Sequence, residues 1–138
     1  MIVALDSEAL NALAGPDSPA RRRIREAINA AVRIRRDVVV PTVVLAELCR
    51  GPRRTQLVDA VLAREERAVR CRDTDRHLAR YVGAVLHASN ADSNDMVDAH
   101  VVAITAEAGG GVILTGDPGD LTRLAAPYHS VVVAPLNG

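Results

Sequence analysis

The sequence predicts a three-layer α/β/α domain built on a central parallel sheet, and three observations carry that prediction. Short runs rich in Val, Ile and Leu alternate along the chain with longer segments of helical periodicity. The short runs are apolar at consecutive positions, the pattern of strands covered on both faces. Helix caps and breakers, Ser, Thr, Asp and Gly-Pro, fall at the junctions between the two kinds of segment.

Taken in order, "MIVAL" reads as a buried first strand that stops at Asp6, and residues 7–14 as a short helix closed by Gly15-Pro16. Asp17 or Ser18, with Pro19 near the first turn, opens the helix "ARRRIREAINAAVRIRR". "DVVVP" is the second strand, after which Thr42 caps the helix "VVLAELCR" and Gly51-Pro52 ends it. A further helix covers roughly residues 53–66, and "RAVRC" is the third strand. Asp73 or Thr74 caps "DRHLARYVGAVLHA", and Ser93 or Asn94 caps the helix that contains "DMVDAHVVAI". The run Gly109-Gly110-Gly111 ends that helix and leads into a fourth strand, "GGVILT". "DPGDLTRLA" is a short helix and "HSVVVAP" the closing strand.

At 138 residues the chain is expected to form a single domain, 1–138, without repeats or low-complexity segments. Phe and Trp are absent and Tyr81 and Tyr128 are the only aromatics, so the core must be built from Val, Leu, Ile and Ala. The same scarcity leaves few surfaces on which nucleic-acid bases could stack. All 17 basic residues are Arg, and 17 acids balance them, which argues against a globally basic nucleic-acid binder but leaves room for local patches such as "CRGPRR" and "ARRRIREA". Cys49 and Cys71 lack a metal-binding or redox spacing and are expected to be buried, reduced thiols. No apolar stretch is long enough to span a membrane and no basic segment precedes "MIVAL", so a soluble, cytoplasmic protein is expected.

The acids carry the chemistry. In open parallel sheets the ligand site lies beyond the carboxyl ends of the strands. Asp6 follows the first strand and Asp117 the fourth, so both project toward that edge. Glu47 borders the apolar stripe of its helix, about 60° from Val44 at helical spacing. Asp98 falls between the directions of Val101 and Val102, with Asp95 one turn earlier. Structural roles compete with this reading: Asp6 and Asp117 as N-caps, Asp95 as a first-turn partner of the helix dipole, Glu47 paired with Arg50. Asp98 resists such an account, because a carboxylate set among valines needs a compensating cation. Acids that meet at one sheet edge repel each other unless something positive sits between them, and the chain has no Lys. Hard oxygen ligands of this kind select Mg²⁺ or Mn²⁺.

Four stretches, "VALDS", "LAELCRG", "DMVDAHVVA" and "ILTGDPGDL", occur in an order and spacing that cover the whole chain. In this set the sequence resembles PIN-domain ribonucleases and, by its size, the VapC-type toxins of bacterial type II toxin–antitoxin pairs. The resemblance implies a PIN-like fold and a catalytic acidic cluster of Asp6, Glu47, Asp98 and Asp117 holding one or two Mg²⁺ or Mn²⁺ ions. Asp95 would be an additional acid, Asp120 a weaker one, and Ser7 and Thr115 supporting hydroxyls. It implies hydrolysis of RNA phosphodiesters to a 5′-phosphate and a 3′-hydroxyl, with the ion activating water and neutralising the developing charge. It further implies a cognate VapB-type antitoxin lying over the site, often with a basic side chain among the acids, and homodimers formed through helices. Arg50, Arg53 and Arg54 would then contact RNA or antitoxin. One departure is Glu8, which stands where the family usually has a small polar residue.

Other readings weigh less. Receiver domains and haloacid-dehalogenase-like phosphatases also place an Asp after the first strand, but they use a Lys, and the latter an Asp-x-Asp that Asp6-Ser7-Glu8 does not supply. The three glycines end a helix and do not open one, against a dinucleotide site. His77, His87, His100 and His129 read as surface or helix-contact residues. The alternative from another class is a catalytically inert PIN-fold module that binds protein or RNA.

Overall fold

The structure, a computed structural model, describes residues 1–136. Five strands, β1 (Ile2–Leu5), β2 (Asp37–Pro41), β3 (Val69–Arg72), β4 (Gly111–Thr115) and β5 (Val131–Pro135), form one parallel sheet in the order β3-β2-β1-β4-β5. The helices are α1 (Ser7–Ala14), α2 (Pro19–Arg33), α3 (Val43–Leu48), α4 (Pro52–Arg64), α5 (Arg76–Ala88), α6 (Met96–Glu107) and α7 (Pro118–Ala125), with a 3₁₀ turn at Ser93–Asp95. α1 and α2 pack together on one side, α5 and α6 on the other, and α7 bridges α6 and β5. This is the three-layer architecture that the consecutive apolar runs anticipate.

Strand order explains where a site must lie. From β1 the chain builds outward through β2 to β3, then returns to β1's other edge with β4 and continues to β5. The direction of winding reverses between β1 and β4, and in such sheets the crevice opens at the carboxyl ends of the two strands flanking that reversal. β1 ends at Leu5, paired with Leu114, so Asp6 and Thr115 stand side by side at the crevice.

Burial accounts for the elements. All of β1 is buried, and α6 is buried continuously from Ala99 to Thr105 because it packs on β1, β2 and β4 with α5 over its other side. A helix apolar all round belongs in a core. His100 is therefore enclosed, not at the surface: Nδ1 lies 2.8 Å from the Met96 carbonyl, and Nε2 has no partner. No helix among the described residues is long and apolar enough to cross a membrane.

Several boundaries differ from the sequence reading for local reasons. Asp75, not Asp73 or Thr74, caps α5, accepting from the Leu78 amide at 2.8 Å. α2 ends at Arg33 because Arg35 adopts a left-handed φ of 58°. Asp92, not Ser93 or Asn94, caps the segment before α6, and Asp95 belongs to the 3₁₀ turn. Gly111 has a φ of 149°, and a Cβ there would collide with the Ile2 backbone, so the close β1–β4 approach demands glycine. Cys71 is exposed and Cys49 half-buried, contrary to the expectation of buried thiols. Cys71 lies on β3, the edge of the sheet, where the strand keeps only Val69 fully covered.

Candidate metal centre

Asp6 is placed by the end of β1 and held by the start of α1. Its carboxylate accepts from the Ala9 amide at 2.8 Å, so it is the N-cap of α1 as well as a site acid. It is buried, and burial pushes its pKa up, although the Thr115 hydroxyl beside it and the Ala9 amide pull the other way.

Asp98 sits in the first turn of α6, half-buried at the mouth of the crevice. Its pKa is pushed up to about 6, first by burial and then by the negative charges of Asp6, Asp120, Glu47 and Asp95. The carboxylates of Asp95, Asp98 and Asp120 approach one another within 4.8 Å, close enough for one cation to touch all three. Asp6 and Glu47 lie outside that tight trio, yet near enough to repel Asp98.

The flanking acids are each steadied by one donor. Glu47, exposed on α3, accepts a hydrogen bond from the Ser7 hydroxyl at the start of α1. Asp95 accepts from Arg123 of α7 at 3.0 Å, and the same guanidinium nitrogen lies 3.5 Å from Asp120. Thr115 accepts from the Asp117 amide at 2.9 Å, which sets the turn from β4 into α7.

The sequence and structure group the acids differently in one respect. Asp6, Glu47 and Asp98 come together as anticipated from their positions, and Asp95 joins them. Asp117 is exposed at the N-terminal flank of α7 and its side chain caps nothing; Asp120, one turn on, supplies the carboxylate that comes within reach of Asp95 and Asp98. The sequence alone does not single out Arg123. The available signal was its i,i+3 spacing from Asp120, a pattern too common on helix surfaces to point to a site. Glu8 is exposed beside Gly116, where its carboxylate fills the space a Cβ would need.

The three proposed contact arginines have separate surroundings. Arg54 reaches across to Asn11 Oδ1 at 2.6 Å and the Leu48 carbonyl at 3.4 Å, and Arg50 turns back on Ala46 at 3.3 Å. Arg50 does not pair with Glu47, and Arg53 is exposed.

Residues 3–127 match the family model of the PIN domain. The chain belongs to the PIN domain family. No curated protein matches it. Among solved structures, this PIN domain resembles a chain of the crystal structure of VapBC2 from Rickettsia felis bound to a DNA fragment from their promoter, with a TM-score of 0.66, 15% identity and 98% of each chain covered. At that identity the likeness establishes the fold. The crevice of this PIN domain contains hard oxygen donors and one arginine, a donor set suited to a divalent cation and unsuited to soft metals.

Proposed function

We propose that this PIN domain is a Mg²⁺- or Mn²⁺-dependent endoribonuclease and the toxin of a VapBC-type pair, held inactive by a cognate VapB-type antitoxin. The observation that carries the reading is Asp98, whose pKa is raised to about 6 by burial and four neighbouring carboxylates. A site that gathers five carboxylates around a single arginine is suited to a divalent ion.

In this reading Asp98 is the shared ligand, with Asp6 and Glu47 on one side and Asp95 and Asp120 on the other. A divalent ion held there would supply Lewis-acid stabilisation of the phosphoryl oxygens and a lowered pKa for an attacking water. The chain's own groups do the positioning. The Ala9 amide and the Thr115 hydroxyl fix Asp6, Ser7 fixes Glu47, and Arg123 fixes Asp95 while offsetting part of its charge. Asp117, at the rim, would meet the RNA or its water shell outside the innermost ligands.

The same negative field would receive a basic side chain from an antitoxin, as Arg123 already does from within the chain. The VapBC complex that the fold resembles supports that choice of partner. Arg50, Arg53 and Arg54, on and beside the helix that carries Glu47, are the proposed contacts for RNA phosphate or antitoxin. Assembly as a homodimer and residence in the cytoplasm belong to the same reading.

The test is cleavage of a structured RNA pool by the purified chain with Mg²⁺ or Mn²⁺, with EDTA, and with a folded Asp98→Asn variant. Cleavage that requires metal, leaves 5′-phosphate ends and is lost in the variant is the expected result. Cleavage that survives EDTA and the substitution would overturn the assignment of this site. Absence of cleavage by the wild-type chain across metals would favour the inert binding module.

A further inference from the structure

The two tyrosines, 47 positions apart in the sequence, come together in the fold. Tyr81 of α5 and Tyr128 after α7 stack with ring centroids 6.5 Å apart and planes tilted by 40°. They line an open groove of about 770 Å³ whose other walls are Arg76, His77, Arg80 and Ala84. Positions 76, 77, 80, 81 and 84 are one face of α5 at helical spacing, so the groove displays a built stripe of cationic and aromatic groups.

The charges on this face are available. Arg76 and Arg80 are exposed, and among the described residues neither joins an ion pair. The nearby acids Asp75 and Glu107 are already tied to Arg72 at 3.3 and 3.2 Å, and His77 also reaches Glu107 at 3.3 Å. Tyr128 additionally borders a second hollow of about 360 Å³ lined by His129 and Val131, so this ring is shared by two depressions. In a chain with no net charge, a local cationic stripe flanked by its only aromatics is the electrostatic and stacking footprint of a single-stranded nucleic acid.

We propose that the α5 groove, with Tyr81 and Tyr128 as the stacking surface and Arg76 and Arg80 as phosphate contacts, is a subsite for an unpaired RNA segment outside the acidic cleavage centre. Unpaired bases splay onto aromatic rings while the backbone follows the arginines, a mode that selects flexible, single-stranded regions over duplex. The proposal rests on the reading of the protein as a ribonuclease, and it assigns part of the choice of target to a face that no acid of the cleavage centre occupies.

Because tyrosine is the chain's only aromatic residue type, intrinsic tyrosine emission reports on this groove alone. The experiment titrates fluorescein-labelled dodecauridylate into the full chain in EDTA, reading anisotropy, and unlabelled dodecauridylate with absorbance-corrected tyrosine emission. Wild type is expected to bind with a change in tyrosine emission. Arg76→Gln/Arg80→Gln is expected to weaken binding at least tenfold and to reduce the salt slope by about 1.4, two contacts at ~0.7 each. Tyr81→Leu is expected to weaken binding about fivefold or more. The inference is overturned if wild type does not bind, if tyrosine emission is unchanged at saturation, or if the exposed arginine double variant, folded by circular dichroism, binds as wild type. It is also overturned if the substitutions alter only self-association by sedimentation, which would make the groove a contact between copies. Binding is read without metal or turnover, so failure of the cleavage reading and failure of this subsite give separate signatures.

Discussion

At Asp98 two demands on one side chain conflict, and the conflict has measurable consequences. Its pKa in the folded chain is about 6 against 3.8 for an ordinary Asp, so the native state favours the protonated form. The resulting stability is fully present below about pH 4 and is lost as the pH rises through 6, amounting to about 2 kcal/mol after allowance for partial solvent screening. The metal-free chain is therefore expected to melt at a lower temperature at pH 7 than at pH 4.5 to 5. Asp98→Asn should remove that difference and raise the metal-free melting temperature at pH 7 by about 3 °C or more while abolishing cleavage. A thermal melt at both pH values checks the sign, and a variant less stable than wild type at pH 7 would contradict it. The proton and the cation compete for the same oxygens, so cleavage should decline as the pH falls through 6. Arg123 acts beside this conflict: Arg123→Gln removes the cation nearest Asp95 and Asp120, leaves the site more negative, and should bring half-maximal activity to a lower Mg²⁺ concentration, read as a shift in the metal dependence. These residue-scale features differ in how well the sequence exposes them. Asp6, Glu47 and Asp98 are legible because each is an acid at a structural boundary or beside an apolar stripe. Asp120 and Arg123 look like ordinary surface charges until α7 folds against α6 and brings them to Asp95.

At the scale of elements, type and order are legible and ends are not. Strands read well because they are covered on both faces and so are apolar at consecutive positions, and α6 reads well because it is enclosed from Ala99 to Thr105. The ends depend on which of several neighbouring polar residues wins a cap. Asp73, Thr74 and Asp75 could each open α5, and only the backbone geometry selects Asp75. Asp75→Ala should cost about 1 kcal/mol, measured by urea unfolding. The loss should exceed that of a cap alone if the pairing of Arg72 with Asp75 matters to stability; the exposed position of that pair predicts that it does not. The turn from β4 into α7 shows the same limit at a functional place. "TGDPGD" offers two acids: the Asp117 amide donates to Thr115 and its side chain is exposed, while Asp120 joins Asp95 and Asp98 in the trio.

For the molecule as a whole, the parallel α/β/α architecture follows from apolar patterning, but the strand order does not. The reversal of winding between β1 and β4 gathers acids from four separate stretches of chain, and it is a property of tertiary pairing alone. The tyrosines show the same principle. Two aromatics among 138 residues suggest poor stacking capacity, yet the fold places both in one groove with two exposed arginines. A cation that binds the folded chain and not the unfolded one must also stabilise the whole domain, by about 2.7 kcal/mol at a hundredfold excess over its dissociation constant. Mg²⁺ or Mn²⁺ should therefore raise the melting temperature of the wild type and leave Asp98→Asn unmoved, as read by calorimetry.

Whether the acids at the β1–β4 crevice hold a divalent ion is decided by Mn²⁺ binding followed by electron paramagnetic resonance. The wild-type chain should bind one or two Mn²⁺ ions that Mg²⁺ displaces, and folded Asp98→Asn should lose that binding at least tenfold. Mn²⁺ that binds the wild type and the variant equally, or that does not bind the wild type at neutral pH, would mean that this crevice is not a metal site.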